Sequence, residues 1–240
     1  MDDPHARSSP ATNGPPAGLT ERLLANAARL NAKAGRTLFS QGDASTSAYI
    51  VREGSLQVML FSIDGREIIL REIASGEIFG ELAALDGQAR SATIVALSDC
   101  VLASFPAETF CTAINEVPGA WQWLARRLSG QVRDLTSRLL DRNALRVGSR
   151  LHCELLRRCR EVSAEDDVVY LQPAPTHAQL AAYIGTHREA VTREMRHLVE
   201  RGILRQQGRC IVVNDMPALA KLVQATVGER MQGGDQHRPG

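Results

Sequence analysis

FGELAALDGQARSAT, residues 79–93, is the stretch whose reading decides the fold. Gly80 and Glu81 open an apolar run, Leu82 to Leu85, and a single arginine, Arg90, follows with Ser91 beside it. The run has the length of one short helix begun at a glycine. A helix start presents free N–H groups, which suit a phosphate. Arg90 can add a charge-assisted bond to the same anion, and Ser91 can donate a hydroxyl. A carboxylate beside a phosphate is repulsive, so Glu81 is left to serve a neutral group such as a sugar hydroxyl. Phosphate and sugar hydroxyl together specify a nucleotide. The same two charges can also form a plain structural ion pair, and the stretch alone leaves both readings open.

The flanking sequence reads as short strands and turns from Arg36 to Phe105. SAYIVREGSLQVML alternates and breaks at Glu53-Gly54; FSIDGREIIL carries Asp64-Gly65 between two apolar runs, a hairpin signal. Short, evenly spaced strands predict a small barrel or jelly roll, with Phe39, Phe61 and Phe105 as core residues. A pocket inside so small a barrel has room only for a small nucleotide.

The period changes after Pro118. Leu124, Leu128, Val132, Leu135 and Leu139 advance by fours and a three, a narrow stripe flanked by arginines that predicts a long, coiled-coil-like helix. Such a seam suits a homodimer. A second helix, GSRLHCELLRRCREV, then a polar SAEDD loop and a strand VVYLQ follow.

THAQLAAYIGTHREAVTREMRHLVERGIL, residues 176–204, reads as two short helices. Thr176 with Gln179, and Thr186 with Glu189, fit capping boxes. Leu180 and Ile184 face the first helix inward, Gly185 makes the turn, and Val191, Met195 and Leu198 face the second inward. This is a helix-turn-helix pattern, and GRCIVVND adds a wing strand. On the second helix Glu189, Thr192, Arg193 and Arg196 point away from the apolar face, with Arg188 near its N-terminal end. The N-terminal part of such a helix enters the major groove, where arginine can bond guanine and a carboxylate can accept from cytosine. Arg188, Glu189 and Arg193 are the expected base readers, with Thr176, His187, Thr192 and Arg196 beside them.

Charge supports this division. Asn31–Pro118 holds 6 Lys/Arg against 11 Asp/Glu, net −5, while Leu124–Arg209 holds 16 against 10, net +6. The basic half suits a polyanion. The cysteines, Cys100, Cys111, Cys153, Cys159 and Cys210, show no CxxC spacing, which fits a reduced, cytoplasmic protein. His177, His187 and His197 recur ten apart, which is not metal-ligand spacing. No apolar run reaches a membrane span of ~18 residues. No nucleophile–base set, metal cluster or P-loop points to an enzyme. Residues 1–19 read as a disordered leader, and the tail GERMQGGDQHRPG as disordered too.

FGELAALDGQARSAT resembles the phosphate-binding cassette of cyclic-nucleotide-binding domains, and GTHREAVTREMRHLVERGIL resembles the recognition region of the catabolite activator branch of the bacterial CRP/FNR transcription factors. The resemblance covers roughly residues 20–215. It implies an α+β chain: an N-terminal β jelly-roll over 20–118, a dimerisation helix and hinge over 119–144, a winged helix-turn-helix over 145–215, and an extension over 216–240. By position, Glu81 would bind the ribose 2′-hydroxyl, Gly80 and Leu82 would present backbone, Arg90 and Ser91 would hold the cyclic phosphate, and Val58 and Leu70 would line the barrel side. Arg188, Glu189 and Arg193 match a base-reading set for a TGTGA-like palindrome. Relatives contact the purine through a Thr-Ser pair on the long helix. Here an ungapped count from Arg90 reaches Leu135 and Thr136, and the Thr136-Ser137 pair lies one residue later, ~100° round the helix. Thr136 is the better candidate and Ser137 the weaker one. The effector is cyclic AMP first, with cyclic GMP or both open; no cofactor or metal is implied. Ligand at the barrel would reach the long helix through Thr136 and bias a hinge near Asn143 to Arg150. RNA polymerase is the implied downstream partner. Two alternatives are a ligand-independent regulator of the same family and a cyclic-nucleotide-binding module that acts on a protein.

Overall fold

The computed structural model describes residues 14–63, 65–162 and 168–233. Asp64 of the expected hairpin, the SAEDD loop and residues 1–13 of the expected leader lie outside them. The chain divides into two compact units, Met1–Arg133 and Asp134–Gly240. Among the described residues no helix is long and apolar enough to cross a membrane.

The first unit opens with helix α1 (Leu19–Leu24), so the end of the expected leader is helical: Leu19 and Leu23 are fully buried, and their apolar side chains hold that turn in place. Strands β1 (Ala28–Ala32), β2 (Thr37–Phe39), β3 (Ala48–Glu53), β4 (Leu56–Phe61), β5 (Glu67–Ile73) and β6 (Ile78–Phe79) follow. Helix α2 (Glu81–Asp86) precedes β7 (Thr93–Ala96), β8 (Cys100–Phe105), helix α3 (Ala107–Glu116) and the start of α4 (Ala120–Ala144). The strands form two antiparallel sheets, ordered β1-β8-β3-β6 and β2-β7-β4-β5.

The alternation of side chains along a strand explains the layering. Val51 of β3 and Leu102 of β8 enter the space between the sheets, where they meet Phe39, Leu56, Ile73, Phe79 and Ile94. Their neighbours Ala48, Ile50, Ala103 and Phe105 face the other way and pack on Leu19, Leu23, Phe110, Ile114, Trp123 and Leu124 of the helices. One sheet is therefore buried on both faces, which is why β3 and β8 read as nearly continuous apolar runs. Phe39 and Phe105 are core residues as expected, but Phe61 is 50% exposed. It ends β4 opposite Glu67, where the hairpin runs beyond the packed layers.

The long-helix stripe also divides. Leu124 is buried in the first unit's own core and Leu128 packs against it, whereas Val132, Leu135 and Leu139 stay exposed, together with Leu140. The continuous five-residue seam is thus corrected: its first two members are used within the chain.

The second unit continues α4 to Ala144, then holds α5 (Val147–Glu161), β9 (Val169–Leu171), α6 (His177–Ile184), α7 (Arg188–Glu200), β10 (Leu204–Gln207), β11 (Cys210–Val213) and α8 (Met216–Gly233). The three strands form one antiparallel sheet ordered β10-β11-β9. The expected hinge over Asn143–Arg150 is narrower: only Leu145 and Arg146 separate the helices, because the Leu145 amide still bonds Asp141 and Arg146 caps α5 in an extended conformation. Residues 228–233 of the expected disordered tail are helical, as the end of α8; residues 234–240 lie outside those described.

A buried carboxylate crosses that break. Glu154 of α5 accepts from Arg157 at 2.6 Å, Arg158 at 3.0 Å and, across from α4, Arg138 at 3.5 Å; Arg157 also pairs with Asp141 at 3.3 Å.

The two phenylalanines give a direct test of the layering. Phe110→Ala should cost about 3–5 kcal/mol in urea denaturation, as expected for emptying a packed core site. Phe61→Ala should stay within about 0.5 kcal/mol of wild type; equal losses would overturn the assignment of layers.

Candidate nucleotide pocket and DNA-reading face

Gly80 joins β6 to α2 in the left-handed region, φ 75°. A Cβ there would lie 2.9 Å from an Arg90 terminal nitrogen and 3.1 Å from the Ser47 carbonyl. Only glycine fits both the backbone angle and the approach. Glu81, the first residue of α2, is buried, whereas Leu82 is 39% exposed.

Arg90 is only 3% exposed and turned into the roll. Its Nη2 donates to Ser47 O at 2.7 Å and Ser45 Oγ at 3.0 Å, and its Nη1 donates to Gly80 O at 3.2 Å. The guanidinium lies 4.1 Å from the Phe39 ring centre, within a stacked group of Phe39, Tyr49 and Phe79. Its Nε is buried with no hydrogen-bond partner among the described residues. Burial pulls the Arg90 guanidinium below its ordinary pKa, with Tyr49, Asp43 and Glu81 acting in the opposite sense. Glu81 and Arg90 do not form the ion pair that the sequence allowed: Arg90 bonds two carbonyls and a serine instead.

Ser91 is exposed beside it. Val58 and Leu70 are half-buried on β4 and β5, at a bulge between Val58 and Met59, and Val58 packs on the core between the sheets. Thr136 is exposed and Ser137 half-buried on α4, in the second unit. Sequence reasoning missed Ser45, Ser47 and Tyr49, and it gave Phe39 to the core alone. The polar run DASTSAY carried a signal, since small hydroxyl residues just before a strand rarely serve packing.

Glu77, just before β6, receives Arg71 of β5 at 2.8 Å and Arg127 of α4 at 3.1 Å. Burial would raise its carboxyl, but Arg71, the Ala74 amide and Arg127 outweigh that and hold it below the usual range. These two bridges tie the segment leading into Gly80 to β5 through Arg71 and to α4 through Arg127.

In the second unit α6 begins with the expected capping box: the Thr176 hydroxyl accepts from the Gln179 amide at 3.1 Å, and Gln179 accepts from the Thr176 amide at 2.8 Å. Gly185 ends it at φ 65°. The second capping box is absent; α7 is capped by His187 with no side-chain bond, since helix α7 begins one residue later than the box required. Val191, Met195 and Leu198 are buried as expected, while His187, Arg188, Glu189, Arg193, Arg196 and Thr176 are exposed. Glu189 and Arg193 form no ion pair with each other. Thr192 is half-buried, and its hydroxyl bonds the Arg188 carbonyl at 3.0 Å and His177 Nδ1 at 2.9 Å.

Residues 29–116 match the cyclic nucleotide-binding domain, and residues 149–222 match the Crp-like helix-turn-helix domain. The cyclic AMP receptor protein of Thermus thermophilus is 30% identical, covering 78% of this chain and 84% of that protein. This chain belongs to the CRP/FNR family of transcriptional regulators. It is similar at 27% identity to the cAMP-activated global transcriptional regulator Vfr of Pseudomonas aeruginosa, over 80% of this chain and 92% of Vfr. Among solved structures, CLP of Xanthomonas campestris, a c-di-GMP responsive global regulator, superposes with a TM-score of 0.70 at 25% identity, over 82% of this chain and 98% of CLP. The first unit of this CRP/FNR regulator thus contains a cyclic nucleotide-binding roll and the second a DNA-binding helix-turn-helix; it acts in transcription, not as an enzyme.

Gly80→Ala should cost about 1–2 kcal/mol of stability, because the new residue is forced into the left-handed region and onto Arg90. An unchanged urea midpoint would show that the backbone at Gly80 relaxes freely.

Proposed function

We propose that this regulator is a homodimer that binds a TGTGA-like palindrome when cyclic AMP, or cyclic GMP in its place, occupies the roll. The observation that carries the reading is the Arg90 guanidinium. It is buried, makes no ion pair with a carboxylate of the described residues, and keeps an unpartnered Nε. A buried charge is costly unless paired, and a cyclic phosphate supplies the missing anion. Glu81 then takes the ribose 2′-hydroxyl, Gly80 and Leu82 present backbone, Ser91 donates its hydroxyl, and Val58 and Leu70 flank the sugar and base. Thr136, with Ser137 as the weaker partner, is the candidate for reading the purine. The names of the Thermus and Pseudomonas relatives support cyclic AMP; that of CLP makes c-di-GMP a necessary comparison.

Exposed Val132, Leu135 and Leu139 on α4 support the dimer, since an apolar helical stripe of this kind is a seam for a second helix. Exposed Arg188, Glu189 and Arg193 read bases, with His187, Arg196 and Thr176 toward the backbone. Ligand biases the DNA-competent state by binding it more tightly. RNA polymerase is the downstream partner.

Calorimetric titration with cyclic AMP, cyclic GMP and c-di-GMP should give binding with cyclic AMP, and Arg90→Leu should abolish it. Unchanged affinity in Arg90→Leu overturns the pocket. Leu135→Asp with Leu139→Asp should shift the protein to monomer in sedimentation velocity and abolish binding to the palindrome. Glu189→Ala should relax base preference at one position by ~1–3 kcal/mol; an equal loss on every sequence would assign Glu189 to helix stability instead.

A further inference from the structure

His177 opens α6 yet touches neither the helix cap nor solvent alone. Its Nδ1 lies 2.9 Å from Thr192 Oγ1 on α7, and its Nε2 lies 3.1 Å from the amide nitrogen of Gln206 on β10. Thr192 Oγ1 in turn donates to the Arg188 carbonyl at 3.0 Å. One imidazole therefore joins the first helix, the recognition helix and the wing strand of the DNA-binding unit.

The neighbouring donors and acceptors favour one state. A threonine hydroxyl has one proton, and here it is given to Arg188 O, so the oxygen must accept from His177. That requires a proton on Nδ1. With the Gln206 amide nitrogen 3.1 Å from Nε2, Nε2 is the acceptor and carries a lone pair. Both demands are met by the neutral Nδ1–H tautomer. Burial, and Arg188 nearby, pull His177 below the usual histidine pKa, which agrees with a neutral ring.

We infer that His177 is a positioning residue for sequence recognition: through Thr192 it sets the first turn of α7, which carries Arg188 and Glu189, and through Gln206 it sets the wing against that turn. It touches no base in this scheme. It differs from a histidine that binds a phosphate, which would act as a charge and carry no sequence information. The inference rests on the DNA-reading role of Arg188 and Glu189 proposed above.

The test uses full-length dimer with cyclic AMP and selection from a randomised duplex pool, so that no half-site is assumed. The wild-type profile itself reports on the role of Arg188 and Glu189. His177→Ala, Thr192→Val and Gln206→Ala are compared with it; the last is an exposed substitution that leaves folding intact. His177→Ala and Thr192→Val should each flatten the profile at the base pairs read by Arg188 and Glu189, by roughly tenfold, and the double variant should be no worse than either, because they break one chain. His177→Asn, which keeps an amide N–H near the Nδ1 position, should restore that part of the profile. Salt dependence should be unchanged. A uniform loss over all sequences with a shallower salt slope would make His177 a phosphate contact and overturn the inference, as would additive effects in the double variant. A DNA-independent arm reads the tautomer from long-range ¹H–¹⁵N spectra of the imidazole at neutral pH. The Nδ1–H pattern is expected, and it should persist in Arg188→Ala; the Nε2–H pattern would overturn the inference.

Discussion

A single buried guanidinium organises the mouth of the roll. Arg90 reaches the loop before β3 through Ser45 and Ser47, the start of α2 through the Gly80 carbonyl, and the aromatic group through Phe39. Its backbone completes the tie, with its amide on Asp43 O and its carbonyl accepting from Gly42. Segments remote in sequence are thus held by one residue whose own charge is left uncompensated. That combination is stable only while the carbonyl and hydroxyl dipoles around it substitute for a counter-ion. The entropy cost of fixing this long side chain is met on folding.

The same economy governs the recognition unit. Its outward helix face keeps Arg188, Glu189, Arg193 and Arg196 exposed. The polar residues between the elements, His177, Thr192 and Gln206, spend their hydrogen bonds on each other. A helical wheel cannot separate these classes, because Thr192 sits on the outward arc and is still drawn in by a neighbour from another helix.

This explains what was legible beforehand. The jelly-roll, the long helix and the winged helix-turn-helix all follow from period and turn chemistry, which are local. The Thr176 capping box and the buried Val191, Met195 and Leu198 are local as well. The misreadings concern residues whose fate depends on distant partners. Phe61 looks like Phe105 in sequence, but no layer covers the end of its hairpin. Leu124 and Leu135 share one stripe, but the first unit's core claims only Leu124. Arg90 lies close to Glu81 in sequence, yet beside the Gly80 carbonyl its partners are Ser45 and Ser47, more than 40 residues upstream.

The Glu154 carboxylate has a mechanical meaning. By gathering Arg138 from one side of the Leu145–Arg146 break and Arg157 and Arg158 from the other, it splints the place where the backbone leaves the helix. A joint splinted in this way transmits torque instead of absorbing it. Side chains thus hold the end of α4 against the start of α5 at the two residues that separate the helices.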